Sequence, residues 1–85
     1  MDIYYSPEFN RRFKKLPREL KLKALEKEKI FRKDQFHPQL KTHKLSGKLA
    51  GRWAFWIDFK CLIIFSFIDS KTIHFLSVGD HDIYK

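Results

Sequence analysis

The sequence predicts an α+β fold, an antiparallel sheet with two N-terminal helices packed on one of its faces. Three features carry that expectation. Residues 61–68 form an eight-residue run in which all but Ser66 are apolar, most of them β-branched or aromatic. Polar clusters, Asp58-Phe59-Lys60 and Asp69-Ser70-Lys71, flank it. A run of that length is far short of the ~20 apolar residues a membrane span needs, and reads as a strand buried on both faces and central in its sheet. Before it, residues 52–59 alternate with period two; earlier still, residues 6–33 carry helix-spaced apolar positions.

In chain order, Asp2-Ile3-Tyr4-Tyr5 is rich in β-formers and predicts a short first strand. Ser6-Pro7 predicts a helix start, serine as N-cap and proline in the first turn. Phe9, Phe13 and Leu16 then share one stripe. Pro17 ends this helix and opens a second, running to about Phe31 or Lys33, with Leu20, Ala24 and Phe31 on one face. His37-Pro38 breaks it. Residues 37–51, with Pro38, Gly47 and Gly51, read as a long loop carrying His37, Lys41, His43, Lys44 and Lys48; loops of this length in small domains are more often functional than incidental. In 52–59 the alternation sends Trp53, Phe55, Ile57 and Phe59 inward and Arg52, Ala54, Trp56 and Asp58 outward, stranding Trp56 among polar neighbours. After the central run, Thr72 to Val78 is the last strand and residues 79–85 a polar tail. The order is β-α-α-β-β-β over a single domain, 1–85, with one sheet face left uncovered between the loop and the tail.

Composition narrows the chemistry. Fourteen aromatics supply a large hydrophobic payload to a chain of 85 residues. The single cysteine, Cys61, excludes an internal disulfide and a Cys-based zinc site, and reads as a small core hydrophobe. No signal-type N-terminus is visible, which predicts a cytoplasmic protein with no membrane partner. No phosphate-binding glycine loop, metal-ligand pair or nucleophile motif occurs, so neither metal nor cofactor is expected. Residues 1–51 hold fourteen Lys/Arg against six Asp/Glu, whereas 52–85 hold four of each. That asymmetry points to a polyanion or an acidic protein partner, beyond a merely soluble basic surface. His43 in the loop and His81 in the tail are the candidate proton carriers; His37 reads as helix-end punctuation and His74 as a strand residue. Basic surroundings, an aromatic and paired histidines suit RNA cleavage by proton transfer, with cations offsetting phosphate charge.

The stretch His43-Lys44-Leu45-Ser46-Gly47-Lys48-Leu49-Ala50-Gly51, the Leu62-Ile63-Ile64-Phe65 strand and the ending Val78-Gly79-Asp80-His81-Asp82-Ile83-Tyr84 resemble the RelE/ParE toxin superfamily, in particular its YafQ-like and RelE/StbE-like branch. The likeness spans nearly the whole chain and implies a RelE-like fold. It also implies the toxin half of a type II toxin–antitoxin pair: an mRNA endonuclease acting in the ribosomal A site, bound by a cognate acidic antitoxin. The alternatives are a ParE-like toxin that poisons gyrase and a catalytically decayed relative that only binds an antitoxin. By position, His43 and His81 fall on catalytic histidines of YafQ-like toxins, and Tyr84 falls near the aromatic that follows the second. Trp56 occupies the place of a third histidine, Lys60 that of an aspartate, and Leu62 that of a strand arginine contacting phosphate. Lys44, Lys48, Arg52 and Lys60 are then the cations available to RNA, with Trp56 available to stack on a base.

Overall fold

The computed structural model describes residues 1–80; the expectations for His81 and Tyr84 fall outside the described residues. In order come β1 (Asp2–Tyr5), α1 (Pro7–Lys14), α2 (Arg18–Lys33), a 3-10 turn (Pro38–Leu40), β2 (His43–Lys44), a second 3-10 turn (Gly47–Leu49), β3 (Trp53–Trp56), β4 (Cys61–Phe67) and β5 (Thr72–Asp80). The strands form one sheet in the order β1-β5-β4-β3-β2. β1 runs parallel to β5 and every other pair is antiparallel. The apolar run is thus the central strand, and the fold is α+β as expected.

Local chemistry sets the helix boundaries. The Ser6 hydroxyl accepts from the Phe9 amide at 2.9 Å, capping α1, and donates to the Leu76 carbonyl at 2.7 Å, which ties the cap to β5. Pro7 occupies the first turn and Pro17 immediately precedes α2. Phe9, Ala24 and Phe31 are buried, with Phe13, Leu16 and Leu20 packed beside them, so both helices cover the same sheet face. Phe31 is the centre of that layer. Its ring lies 4.8 Å from Phe55, 4.9 Å from Phe65 and 5.6 Å from Phe75, one from each of β3, β4 and β5.

The opposite face is covered as well, contrary to the expectation of an open one. Ala54, Leu62 and Ile64 form a second buried cluster beneath Leu45, Leu49, Trp56 and Leu76. The segment read as a plain loop folds back over the sheet. The Leu45 amide donates to the Arg52 carbonyl at 2.9 Å and the Arg52 amide to the Leu49 carbonyl at 3.0 Å. Gly47 and Gly51 sit at φ +65° and +90°, where a side chain would be strained, and these two positions allow the fold-back.

Two boundaries and one register differ from the sequence pattern. β3 ends at Trp56 because Asp58 turns the chain: its Oδ1 accepts from the amides of Lys60 at 2.8 Å and Cys61 at 2.7 Å. Phe59, expected inside, is consequently 83 % exposed. β5 continues past Val78, with Gly79 and Asp80 paired to Leu62 and Cys61 instead of starting a tail. The register also shifts, Phe65 facing Phe75 and Ile64 facing Ser77, so Leu76 is the extra residue of a bulge.

Phe31→Ala is expected to destabilise the protein by ~3–5 kcal/mol, the usual loss for a fully buried aromatic. Phe59→Ala should stay within ~0.5 kcal/mol, as exposed positions do. Urea denaturation of the two variants checks the pair; equal losses would contradict the placement of both rings.

Candidate functional site

His43 is held on the face opposite the helices. On β2 it pairs with Ala54, so its side chain shares the face of Ala54 and Trp56. The imidazole lies 6.4 Å from the Trp56 ring at an interplanar angle of 24°. Its Nδ1 is 2.9 Å from the Lys41 carbonyl oxygen. A carbonyl can only accept, so Nδ1–H donates, and in the neutral ring the lone pair resides on Nε2. Lys41 presents that carbonyl from a left-handed conformation, φ 51°. A rigid aromatic, a fixed tautomer and a ring nitrogen, Nε2, without a hydrogen-bond partner among the described residues are therefore assembled at one spot.

The other candidates separate into neighbours and outliers. Lys44, next to His43 in sequence, lies on the other face: it pairs with Trp53, and its Nζ sits 5.4 Å from that ring. Lys48 is exposed on the second 3-10 turn. Arg52 borders a cleft of about 280 Å³ with Leu49, Ile64, Leu76 and Ser77, on the α1 side of the second cluster. Lys60 is at the tip of the β3–β4 turn, its Nζ 5.4 Å from the Phe59 ring. Trp56 is half-buried over the second cluster, not stranded among polar groups. It pairs with Leu62, which pairs in turn with Gly79, forming one row across three strands. Leu62 is fully buried, so an apolar plug fills the place where the resemblance sets an arginine. His81 and Tyr84 lie outside the described residues.

Some features were missed by the sequence reading. A cleft of about 450 Å³ borders Trp56 and is lined by Lys27, Gln39, Lys41, Asp58 and Phe59. Lys27 comes from the middle of α2, and no local pattern links it to His43. Ser77 is buried with its hydroxyl unpartnered among the described residues, a consequence of the bulge. Cys61 is 2 % exposed, and burial, reinforced by Asp58 and Asp80, pushes its thiol from 9.0 to about 11. It is a core residue, not a nucleophile.

No family model matches the sequence, and no curated protein matches it. Solved structures do. YafQ from Escherichia coli strain BL21(DE3) is 22% identical, with 98% of this chain and 96% of that one aligned at a TM-score of 0.73. A YoeB/ParE toxin from Agrobacterium tumefaciens is 14% identical, with 95% and 99% aligned at 0.80. A chain of the E. coli DinJ–YafQ complex is 24% identical, with 95% and 93% aligned at 0.69. The structural neighbours are thus toxins of the RelE/ParE superfamily, and this chain has their fold along nearly its whole length.

Trp56→Ala should destabilise by about 2 kcal/mol, because it uncovers Leu62 and Ile64, while Trp56→Phe should recover most of that loss; thermal melts decide. Cys61 makes a pH prediction. The unfolded thiol ionises near 9.0 and the folded one near 11, so above 9.0 the unfolded state sheds its proton first and stability falls until about 11. The slope should approach ~1.4 kcal/mol per pH unit. Cys61→Ala should remove that part of the decline, read from denaturation midpoints across the interval.

Proposed function

We propose that this chain is the toxin of a type II toxin–antitoxin pair and cuts mRNA on the ribosome by metal-independent acid–base chemistry. The observation that carries the reading is His43, whose Nδ1–H is committed to the Lys41 carbonyl while Nε2 is left as a base beside Trp56. The resemblance of its loop to YafQ-like toxins and the shared fold support the same reading.

In this reading His43 Nε2 takes the proton from a ribose 2′-hydroxyl. The 2′-oxygen then attacks the adjacent phosphorus and closes a 2′,3′-cyclic phosphate. The bond to the 5′-oxygen breaks, and that oxygen leaves with a proton from His81, with Tyr84 the other catalytic candidate in the C-terminal sequence. Lys44, Lys48, Arg52 and Lys60 are the cations assigned to RNA. Arg52, beside the cleft that Ile64 lines, and Lys48, exposed on the second 3-10 turn, offset phosphate charge in place of the arginine that the family has at the position of Leu62. Lys60 adds charge at the tip of the β3–β4 turn, whereas Lys44, on the opposite face, contributes only to the overall positive field. The excess of eight positive charges suits both the ribosome and an acidic antitoxin in the cytoplasm. The DinJ–YafQ complex supports an antitoxin partner, since there a toxin of this fold is seen in a toxin–antitoxin complex.

One observation favours a second reading. The burial of Leu62 beneath Trp56 removes a phosphate-contacting cation from the sheet, as in a relative that binds its antitoxin without cutting RNA.

His43→Ala and His81→Ala are each expected to lower single-turnover cleavage on programmed ribosomes by roughly 10²–10⁴-fold, with unchanged thermal melting. Wild-type protein that cuts no mRNA but inhibits gyrase would establish the ParE-like alternative. Protein that does neither yet binds its antitoxin would establish the second reading.

A further inference from the structure

The cleft that Trp56 borders has the composition of a base-binding site. Its aromatic walls are Trp56 and Phe59, the latter the most exposed large hydrophobic side chain of the described residues at 83 %. Phe59 is exposed by construction: the Asp58 turn, held by two amide bonds, swings it out of the β3 alternation. Lys60 lies over its ring at 5.4 Å, leaving the aromatic in a positive field. Lys27 and Lys41 line the same cleft, and among the described residues neither forms an ion pair. The one carboxylate there, Asp58, has Oδ1 occupied by the two turn amides. Gln39 has its backbone amide committed to His37 Nδ1 at 3.1 Å, while its side-chain amide makes no hydrogen bond within the described residues. That amide offers one donor and one acceptor edge, the pairing capacity a nucleobase needs.

The cleft is also coupled to His43. Trp56 stacks on the imidazole from one side and lines the cleft. Lys41 lines the cleft and supplies the carbonyl that sets the His43 tautomer. A base lodged there would rest on the same two residues, Trp56 and Lys41, that contact the imidazole. A volume of about 450 Å³ accommodates one base with its sugar.

We propose that the cleft formed by Lys27, Gln39, Lys41, Trp56 and Phe59 is a nucleobase subsite for single-stranded RNA, with Phe59 as stacking platform and Gln39 as the residue that reads the base edge. The inference rests on the RNA-cleaving reading above and adds the residues that select the sequence to be cut. Stacking supplies affinity for any base; the Gln39 amide discriminates among bases; Lys27 and Lys41 hold the backbone.

The test is binding of short oligouridylate, oligoadenylate and an abasic oligomer of equal length to the full chain. It is followed by NMR at the Trp56 indole and the Gln39 side-chain amide, with salt titrations alongside. Base-bearing oligomers should shift both resonances and the abasic one should not. Phe59→Ala should weaken binding roughly 5- to 150-fold, the range of one lost stacking contact, with an unchanged melting temperature. Gln39→Ala should reduce the difference between uridylate and adenylate more than it reduces overall affinity. Lys27→Gln should lower the slope of log affinity against log salt by about one for both polymers. Equal binding of the abasic oligomer, wild-type affinity of a folded Phe59→Ala variant, or no shift with any oligomer overturns the proposal. So does perturbation of the cleft by an acidic partner protein and not by RNA, which would assign the surface to the antitoxin. If the oligomers bind as expected but ribosomes are not cut, the catalytic reading falls and the subsite stands. If His43-dependent cleavage occurs with an unaltered sequence preference in Gln39→Ala, the subsite falls alone.

Discussion

One ring organises the protein: Phe31, reaching from α2 to touch a phenylalanine on each of the three central strands. A chain of 85 residues has few apolar groups to spare, and this contact concentrates them on one side. Both helices are used there. β4 is nevertheless apolar on both faces, so Leu62 and Ile64 need cover that no helix can provide. Among the described residues, the segment between α2 and β3 supplies that cover, with Trp56 and Leu76. It folds back over the sheet, turning at Gly47 and Gly51, and brings Leu45 and Leu49 down as lids. His43 reaches the face opposite the helices because the lid must begin with a strand pairing β3. The site is a consequence of covering the second face.

That logic explains which features were legible. The 61–68 run, the Ser6-Pro7 start and the Phe9 and Phe31 stripes are local patterns, and a buried strand or amphipathic helix is specified by its own residues. Phe59 was misread because a side-chain turn at Asp58 overrode the period-two pattern, and nothing in the alternation announces where it stops. Ala54 read as outward and polar-facing, yet it is fully buried, because its cover comes from the fold-back. For the site, His43, Arg52 and Trp56 were named, and two of them stack on each other. Lys44 reads from sequence as a cation available to RNA beside Lys48, Arg52 and Lys60, yet strand geometry turns it to the face opposite His43. Lys27 and Gln39 went unnamed since their proximity to Trp56 is purely tertiary.

The electrostatic layout follows from the same packing. The central row Trp56–Leu62–Gly79 carries no charge, and the cations stand around it: Lys27 and Lys41 beside one cleft, Lys60 at the turn tip, Arg52 beside the other. A buried cation in the row would require a partner inside the sheet, at a desolvation penalty of several kcal/mol. Peripheral lysines avoid it. Their influence on a bound anion is exerted through solvent within a Debye length of roughly 8–10 Å, so it weakens with salt. Affinity for a polyanion on this surface is therefore collective, and orientation has to come from the aromatic and hydrogen-bonding groups.

The β5 bulge shows how tightly these demands are linked. Inserting Leu76 keeps Ile73, Phe75 and Val78 under the helices while adding a leucine to the opposite cluster, which a regular strand could not do in that register. Ser6 takes the Leu76 carbonyl with the same hydroxyl that caps α1, so helix start and bulge are satisfied by one side chain. The remaining flaw is Ser77, turned to the second face with Ile64 and left without a partner among the described residues. An unsatisfied buried hydroxyl costs about 1–3 kcal/mol. A fully buried leucine side chain contributes roughly 1.5–3 kcal/mol, and Leu76, only partly buried, contributes less. By these magnitudes the added leucine alone does not clearly outweigh the orphaned hydroxyl. What tips the balance is the second role of the bulge, which offers Ser6 a carbonyl and thereby fixes α1, and with it Phe9, against the sheet.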